Sequence, residues 1–300
     1  MKFSAGSALA CRASTADKPR VFIVPCRRVS YNERELRPGR NVIARPVHLK
    51  DTLIGYVLVV EEFTVLSARA IAGLFYARRY IRDMILQIDR VGVGSLFIVV
   101  LTGMFTGMVL ALQTAVQLEP YGATIYVSRL ISTSVVRELG PVLAALMIAG
   151  RVGTGIASEI SSMKVTEQID ALLAEGTDPI HKLATTRLAA CLLMIPVLTI
   201  ITDGIAMFGG WLVARLYLSI DSYFYWTSAF EALRLRDLVL GLVKPTVFGF
   251  IIAMVGCYAG FRTTGGTVGV GVSTTQSMVT SSILILSSDF LLTKLFMAFP

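Results

Sequence analysis

The stretch Val91–Leu118, VGVGSLFIVVLTGMFTGMVLALQTAVQL, runs for 28 residues without a charged side chain. About 20 apolar residues carry an α-helix across the hydrocarbon core of a bilayer, so this stretch predicts a transmembrane span. Three further apolar runs follow it. Residues 188–214 are interrupted only by Asp203, residues 238–261 hold Lys244 near their start, and residues 277–299 carry Asp289 and Lys294 toward their end. Between the first two lies 125–157, apolar but broken by Arg129, Arg137, Glu138 and Arg151. Hydropathy alone leaves that segment open; with it the chain has five spans.

Composition agrees with a membrane protein. Of 300 residues, 54% are hydrophobic and 16% charged, against about 45–50% and about 25% in soluble domains. An ordinary soluble enzyme and a disordered chain are both excluded. The formal charge of +8 first suggests a polyanionic partner. Residues 1–50, however, hold eleven Lys and Arg against three Asp and Glu, whereas residues 51–300 hold seventeen of each. The excess belongs to one tail and gives no reason to expect nucleic-acid binding. That tail, with Pro19, Pro25, Pro38 and Pro46 and little apolar periodicity, reads as a disordered basic segment. An over-extended start and an organellar transit peptide are the alternatives.

Residues 51–90 form a distinct region. Arg69, Arg78, Arg79, Arg82 and Arg90 interleave with Leu66, Ile71, Leu74, Phe75, Ile81 and Ile85, the pattern of an amphipathic helix lying on the membrane surface with its cations toward lipid phosphates. An arginine cluster just before the first span places the N-terminus in the cytoplasm.

Enzymatic chemistry has little to work with. Cys11, Cys26, Cys191 and Cys257 show no C-x-x-C spacing, and His48 and His181 are the two histidines, so neither a disulfide framework nor a metal site is expected. No G-x-x-x-x-G-K-S/T loop is present, so the chain itself is not expected to hydrolyse ATP through a P-loop. No catalytic residue and no cofactor are assigned. The run Gly265–Gly271 reads as a flexible connection between the last two spans.

Ionisable residues at membrane depth carry more information, because each costs roughly 2.5–3.5 kcal/mol on insertion scales. Arg137, Glu138 and Arg151 therefore require partners, a wet cavity or a place near the interface. A mutual ion pair and a substrate-facing polar spot are both open, and Asp203 with Lys244 is a further candidate pair. Gly103–Gly107 and Gly256–Gly260 are G-x-x-x-G patterns that permit close helix approach, within a subunit or between subunits. Between spans, Glu159–Glu175 (EISSMKVTEQIDALLAE) reads as one amphipathic helix, with Gly176 as C-terminal cap and Asp178-Pro179 opening the next helix. Such a helix is a connector or a docking element for a partner's groove.

Several stretches together resemble the MlaE/YrbE family of ABC permeases: SVVRELGPV at Ser134–Val142, AGRVG at Ala149–Gly153, ASEI at Ala157–Ile160, MKVTEQIDAL at Met163–Leu172, GMVLALQ at Gly107–Gln113, and Gly209-Gly210. The similarity is continuous from about Gly92 to Phe299. It implies an all-α integral membrane protein with an N-terminal interfacial helix and five transmembrane helices. It also implies a homodimer, a separate P-loop ATPase, an MCE-domain substrate-binding partner, and phospholipid or another lipid as cargo. By position, Leu118, Tyr121, Arg137, Glu138 and Leu139 are implied to line a lipid cavity. The helix 159–175 is implied to couple to the ATPase through Glu159, Met163, Lys164, Glu167, Gln168, Asp170 and Leu173. At Gly269–Val272 the sequence departs from relatives that carry a basic residue. The expected setting is a bacterial inner membrane, with the plastid inner envelope as alternative. The competing reading is a stand-alone secondary transporter or channel using Arg137, Glu138 and Asp203 as an ion pathway.

Overall fold

The structure, a computed structural model, describes residues 49–74 and 80–298. The basic tail through residue 48, together with Phe75, Arg78 and Arg79 of the surface segment, lies outside the described residues.

Among the described residues every regular element is helical. A helix at Leu49–Leu74 precedes five helices long and apolar enough to cross a membrane: Ile81–Tyr121, Thr124–Val165, Ile180–Tyr217, Leu235–Phe261 and Gly266–Ala298. Two short helices sit at opposite ends of the bundle, Gln168–Ala174 after the second span and Ser222–Ala232 after the third. A span of this length separates its two ends by tens of ångströms at 1.5 Å per residue, so these two elements mark the bundle's ends.

The broken apolar segment is a span. It stays helical through its charges by taking two π turns, Val135–Leu139 and Ala149–Gly153. The first has a covalent cause. Pro141 has no N–H and cannot bond the carbonyl four residues back, and Gly140 N–H donates instead to Val135, five residues back.

Several boundaries differ from the sequence reading. Residues 81–90, grouped there with the surface helix, run on into the first span, because IRDMILQIDR contains no helix breaker. The run Gly265–Gly271 is mostly helix. Gly265 (φ +89°) and Gly266 (φ +66°) make the turn, and the fifth span begins there rather than at residue 277. The helix expected over 159–175 is two pieces. Residues 159–165 end the second span, Glu167 turns the corner with φ +59°, and a separate helix occupies Gln168–Ala174. Gly176 closes that helix at φ +76°, and Asp178 Oδ1 accepts from Ile180 N at 2.9 Å to open the third span.

The glycine pairs serve packing inside the subunit. A Cβ on Gly107 would strike the Ala206 carbonyl, and one on Gly209 the Met104 carbonyl, so the first and third spans meet backbone to backbone. Gly256 and Gly260 receive Ile156 and Ile160 of the second span. The fifth span is the least embedded. Its contacts follow one row at a spacing of four: Gly269, Ser273, Ser277, Ser281 and Ile285 are buried, and the same row continues to Asp289 and Thr293. Such an i±4 ridge is inclined to the helix axis, so this span crosses its neighbours obliquely. Val272, Val279, Ile283, Phe290 and Leu291 face outward.

Candidate functional site

The π turn at Val135–Leu139 presents Arg137 and Glu138 to different residues of the fourth span. Arg137 Nε lies 2.7 Å from Asp237 Oδ1 at the start of the fourth span. Asp237 also accepts from Arg234 N at 3.1 Å, capping that helix. Glu138 Oε2 lies 2.7 Å from Lys244 Nζ, and Glu138 Oε1 accepts from the Thr293 hydroxyl at 3.1 Å. Lys244 is 1% exposed; besides Glu138 it meets Asp289 at 2.9 Å and donates to the Arg137 carbonyl at 3.1 Å. That carbonyl is the one Pro141 would otherwise bond, so the proline creates an acceptor and the lysine fills it. The result is a polar knot joining the second, fourth and fifth spans inside an apolar bundle, with each ion matched as burial demands.

Arg137 and Glu138 therefore do not pair with each other, and Lys244 does not pair with Asp203. Leu139, on the same turn, faces a narrow gap among Gly103, Thr106, Thr202 and Ala206. Leu118 packs on the apolar cluster around Ile131 and Tyr225, and Tyr121 is 82% exposed on the turn that closes the first span. The knot lies roughly 20 Å further along the second span than that turn. The five residues assigned to a cavity thus occupy two levels and do not enclose one space within a single chain. Arg151, on the second π turn, is exposed and lies against Gly94 of the first span.

A second cluster sits near the short-helix end. Glu159 lies 3.1 Å from Arg90 of the first span and 2.8 Å from Arg187 of the third. Arg187 is 2% exposed and also donates to the Leu183 carbonyl at 2.8 Å. Arg187 does not interrupt an apolar run but flanks one, so hydropathy does not single it out. Its signal is a lone arginine immediately before residue 188, facing a carboxylate that ends the preceding span. Met163 packs against the core, and Lys164 donates to the Phe261 carbonyl at the C-terminal end of the fourth span, where unpaired carbonyls favour a cation. Glu159, Met163 and Lys164 thus belong to the bundle rather than to a free helix. Glu167, Gln168, Asp170 and Leu173 are exposed on the corner and the short helix, while Ile169 anchors that helix inward.

The N-terminal helix docks at this same end. Glu62 meets Arg262 at 3.7 Å, Phe63 contacts the Tyr258 ring edge-on, and Thr185 donates to the Ala70 carbonyl at 3.2 Å. Val57, Leu58, Val60, Val65 and Ile71 remain exposed on it. Among the described residues no group of His, Cys, Asp and Glu could hold a metal ion.

The family model of the permease MlaE matches residues 84–295, which takes in both charge clusters and the short helix. The chain belongs to the MlaE permease family. It is 44% identical over 242 residues to a probable ABC transporter permease protein of Rickettsia typhi, covering 81% of this chain and 93% of that one. It is 43% identical over 214 residues to a probable ABC transporter permease protein of Synechocystis, covering 71% and 80%. To the chloroplastic protein trigalactosyldiacylglycerol 1 of Arabidopsis thaliana it is 33% identical over 232 residues, covering 77% and 66%. As an ABC permease with five membrane-spanning helices, this MlaE-family chain implies a separate ATPase, and membership displaces the stand-alone channel reading.

Proposed function

We propose that this permease moves phospholipids or similarly hydrophobic molecules between the inner membrane and an MCE-domain partner, as a homodimer driven by two copies of a separate ATPase. The observation that carries the reading is the exposed short helix. It is set off from the second span by the strained corner at Glu167 and shows Leu173 among Glu167, Gln168 and Asp170. An apolar tooth in an acidic setting suits a partner's groove, and a non-glycine residue held at positive φ marks a corner whose geometry the fold enforces. The outward apolar face of the fifth span supports pairing of two copies, and the half-exposed Arg137 supports a polar contact for a headgroup beside apolar walls. The exposed apolar side of the N-terminal helix supports an interfacial position for it. The relative named for trigalactosyldiacylglycerol supports a lipid as cargo and keeps the plastid inner envelope beside the bacterial inner membrane as a setting.

The test is reconstitution of the complex with its ATPase and MCE-domain protein, measuring ATP-dependent transfer of a fluorescent phospholipid. Glu167→Lys combined with Asp170→Lys is expected to abolish ATPase copurification and transfer, while thermal stability stays within about 0.5 kcal/mol, as for ordinary surface changes. Full transfer by this variant, or a chain that carries no ATPase at all, would overturn the reading.

A further inference from the structure

Asp203 takes part in neither charge cluster. It lies on the third span, 8% exposed, and its Oδ1 is buried without a hydrogen-bond partner. That oxygen presses against Gly140, where a Cβ would collide with it. The carboxyl helps line an apolar cleft of about 480 Å³ between the third and fourth spans, within the roughly 300–1,000 Å³ range of small-molecule sites. Val136, Met207 and Gly241 form its inner wall and are buried, whereas Ile200, Phe230 and Leu242 stand exposed at its mouth. Since Ile200 and Leu242 lie on membrane-spanning helices, the cleft opens sideways toward hydrocarbon.

An unmatched polar atom in such surroundings is rare in folded proteins and calls for an explanation. Gly140 gives Oδ1 its room at this depth, and among the described residues nothing bonds that oxygen; Gly140 does not line the cleft, so a ligand there meets the rest of the carboxyl group. The lining includes no lysine or arginine. Lys244, one turn beyond Gly241, is already engaged by Glu138, Asp289 and the Arg137 carbonyl. A phosphate would therefore meet a carboxyl with no cation beside it.

We propose that this cleft is a binding slot for an uncharged membrane amphiphile whose polar end is a hydroxyl. The hydroxyl donates to the Asp203 carboxyl, and the apolar body lies between the third and fourth spans with its far end toward the mouth. The slot contains none of the residues assigned to the transported lipid's path, so it is a separate site that a neutral lipid reaches from the bilayer.

The experiment photolabels the purified full-length chain in nanodiscs with a diazirine-bearing hexadecanol and, in parallel, with its methyl ether, which cannot donate. Labelled peptides are mapped by mass spectrometry. The alcohol is expected to label segments containing Met207 and Leu242, and the ether about tenfold less, the scale of one lost hydrogen bond to a carboxyl. Gly204→Leu is the decisive variant. Gly204 lines the cleft, and a Cβ there meets nothing within 4 Å, so leucine fills the slot without striking backbone. It is expected to remove the labelling while leaving the thermal unfolding temperature unchanged or raised, since leucine favours helix over glycine. Asp203→Leu is expected to bring alcohol labelling down to that of the ether; should this variant fail to accumulate, Gly204→Leu decides alone. Undiminished labelling of Gly204→Leu, or equal labelling by alcohol and ether, overturns the proposal. The measurement needs neither ATPase nor transport, so its failure would leave the transport reading standing.

Discussion

The two charge clusters are inverses of each other. Near the short helix one carboxylate, Glu159, sits between two guanidinium groups, Arg90 and Arg187; in the other half of the bundle one ammonium, Lys244, sits between two carboxylates, Glu138 and Asp289. The first joins the first, second and third spans and keeps two of its three members in contact with solvent. The second joins the second, fourth and fifth spans around a lysine that is almost wholly enclosed. Only the second span belongs to both. The Glu159 cluster fixes the end of the span from which the short helix projects. The Lys244 cluster ties the fifth span ionically to the second and fourth, beside the row from Gly269 to Ile285 and the Arg236 bond to the Phe296 carbonyl.

This contrast predicts unequal costs. Lys244→Leu should do the most damage, because it leaves two carboxylates facing each other and strips the Arg137 carbonyl of its donor. Losing one partner of a buried ion set costs about 3–5 kcal/mol, to be read as a large fall in the thermal unfolding temperature in detergent. The triple change Lys244→Met, Glu138→Gln, Asp289→Asn should recover most of that loss, since a neutral, well-packed replacement of a buried ion set is often tolerated. If the single variant is as stable as wild type, the knot does not hold the fifth span. Arg187→Leu should cost less, about 2 kcal/mol, in the range of a hydrogen bond to a charged group, because Glu159 keeps Arg90 and access to water. Arg90→Ala, at 63% exposure, should cost under about 1 kcal/mol and lose even that effect in high salt. A reversed order across these variants, measured by the same unfolding assay, would dissolve the distinction between the clusters.

Much of this architecture is legible along the chain. Uncharged runs beyond bilayer length identify spans whatever they pack against, because lipid offers the backbone no alternative hydrogen-bond partner. Gly176 and Asp178 announce their cap and their helix start through local chemistry alone. Boundaries were less legible where no breaker stands, as at residues 81–90, and where a corner is formed by an ordinary residue such as Glu167, whose left-handed backbone conformation no local pattern signals.

Pairing was the least legible feature. The sequence alone places Asp203 and Lys244 inside apolar runs and Arg137 and Glu138 in a segment that hydropathy leaves open, and shows that each needs an explanation, because taking a charge out of water carries a penalty before any partner is known. It also shows where glycine permits close approach. Only the tertiary structure decided that Glu138 meets Lys244 across 106 positions, that Pro141 frees a carbonyl for that same lysine, and that Asp203 is left facing an apolar cleft. Those outcomes depend on the rotation and tilt of one helix against another. Packing sets both quantities, through backbone contacts such as Gly107 on Ala206 and the oblique row from Gly269 to Thr293, at separations that no local periodicity encodes.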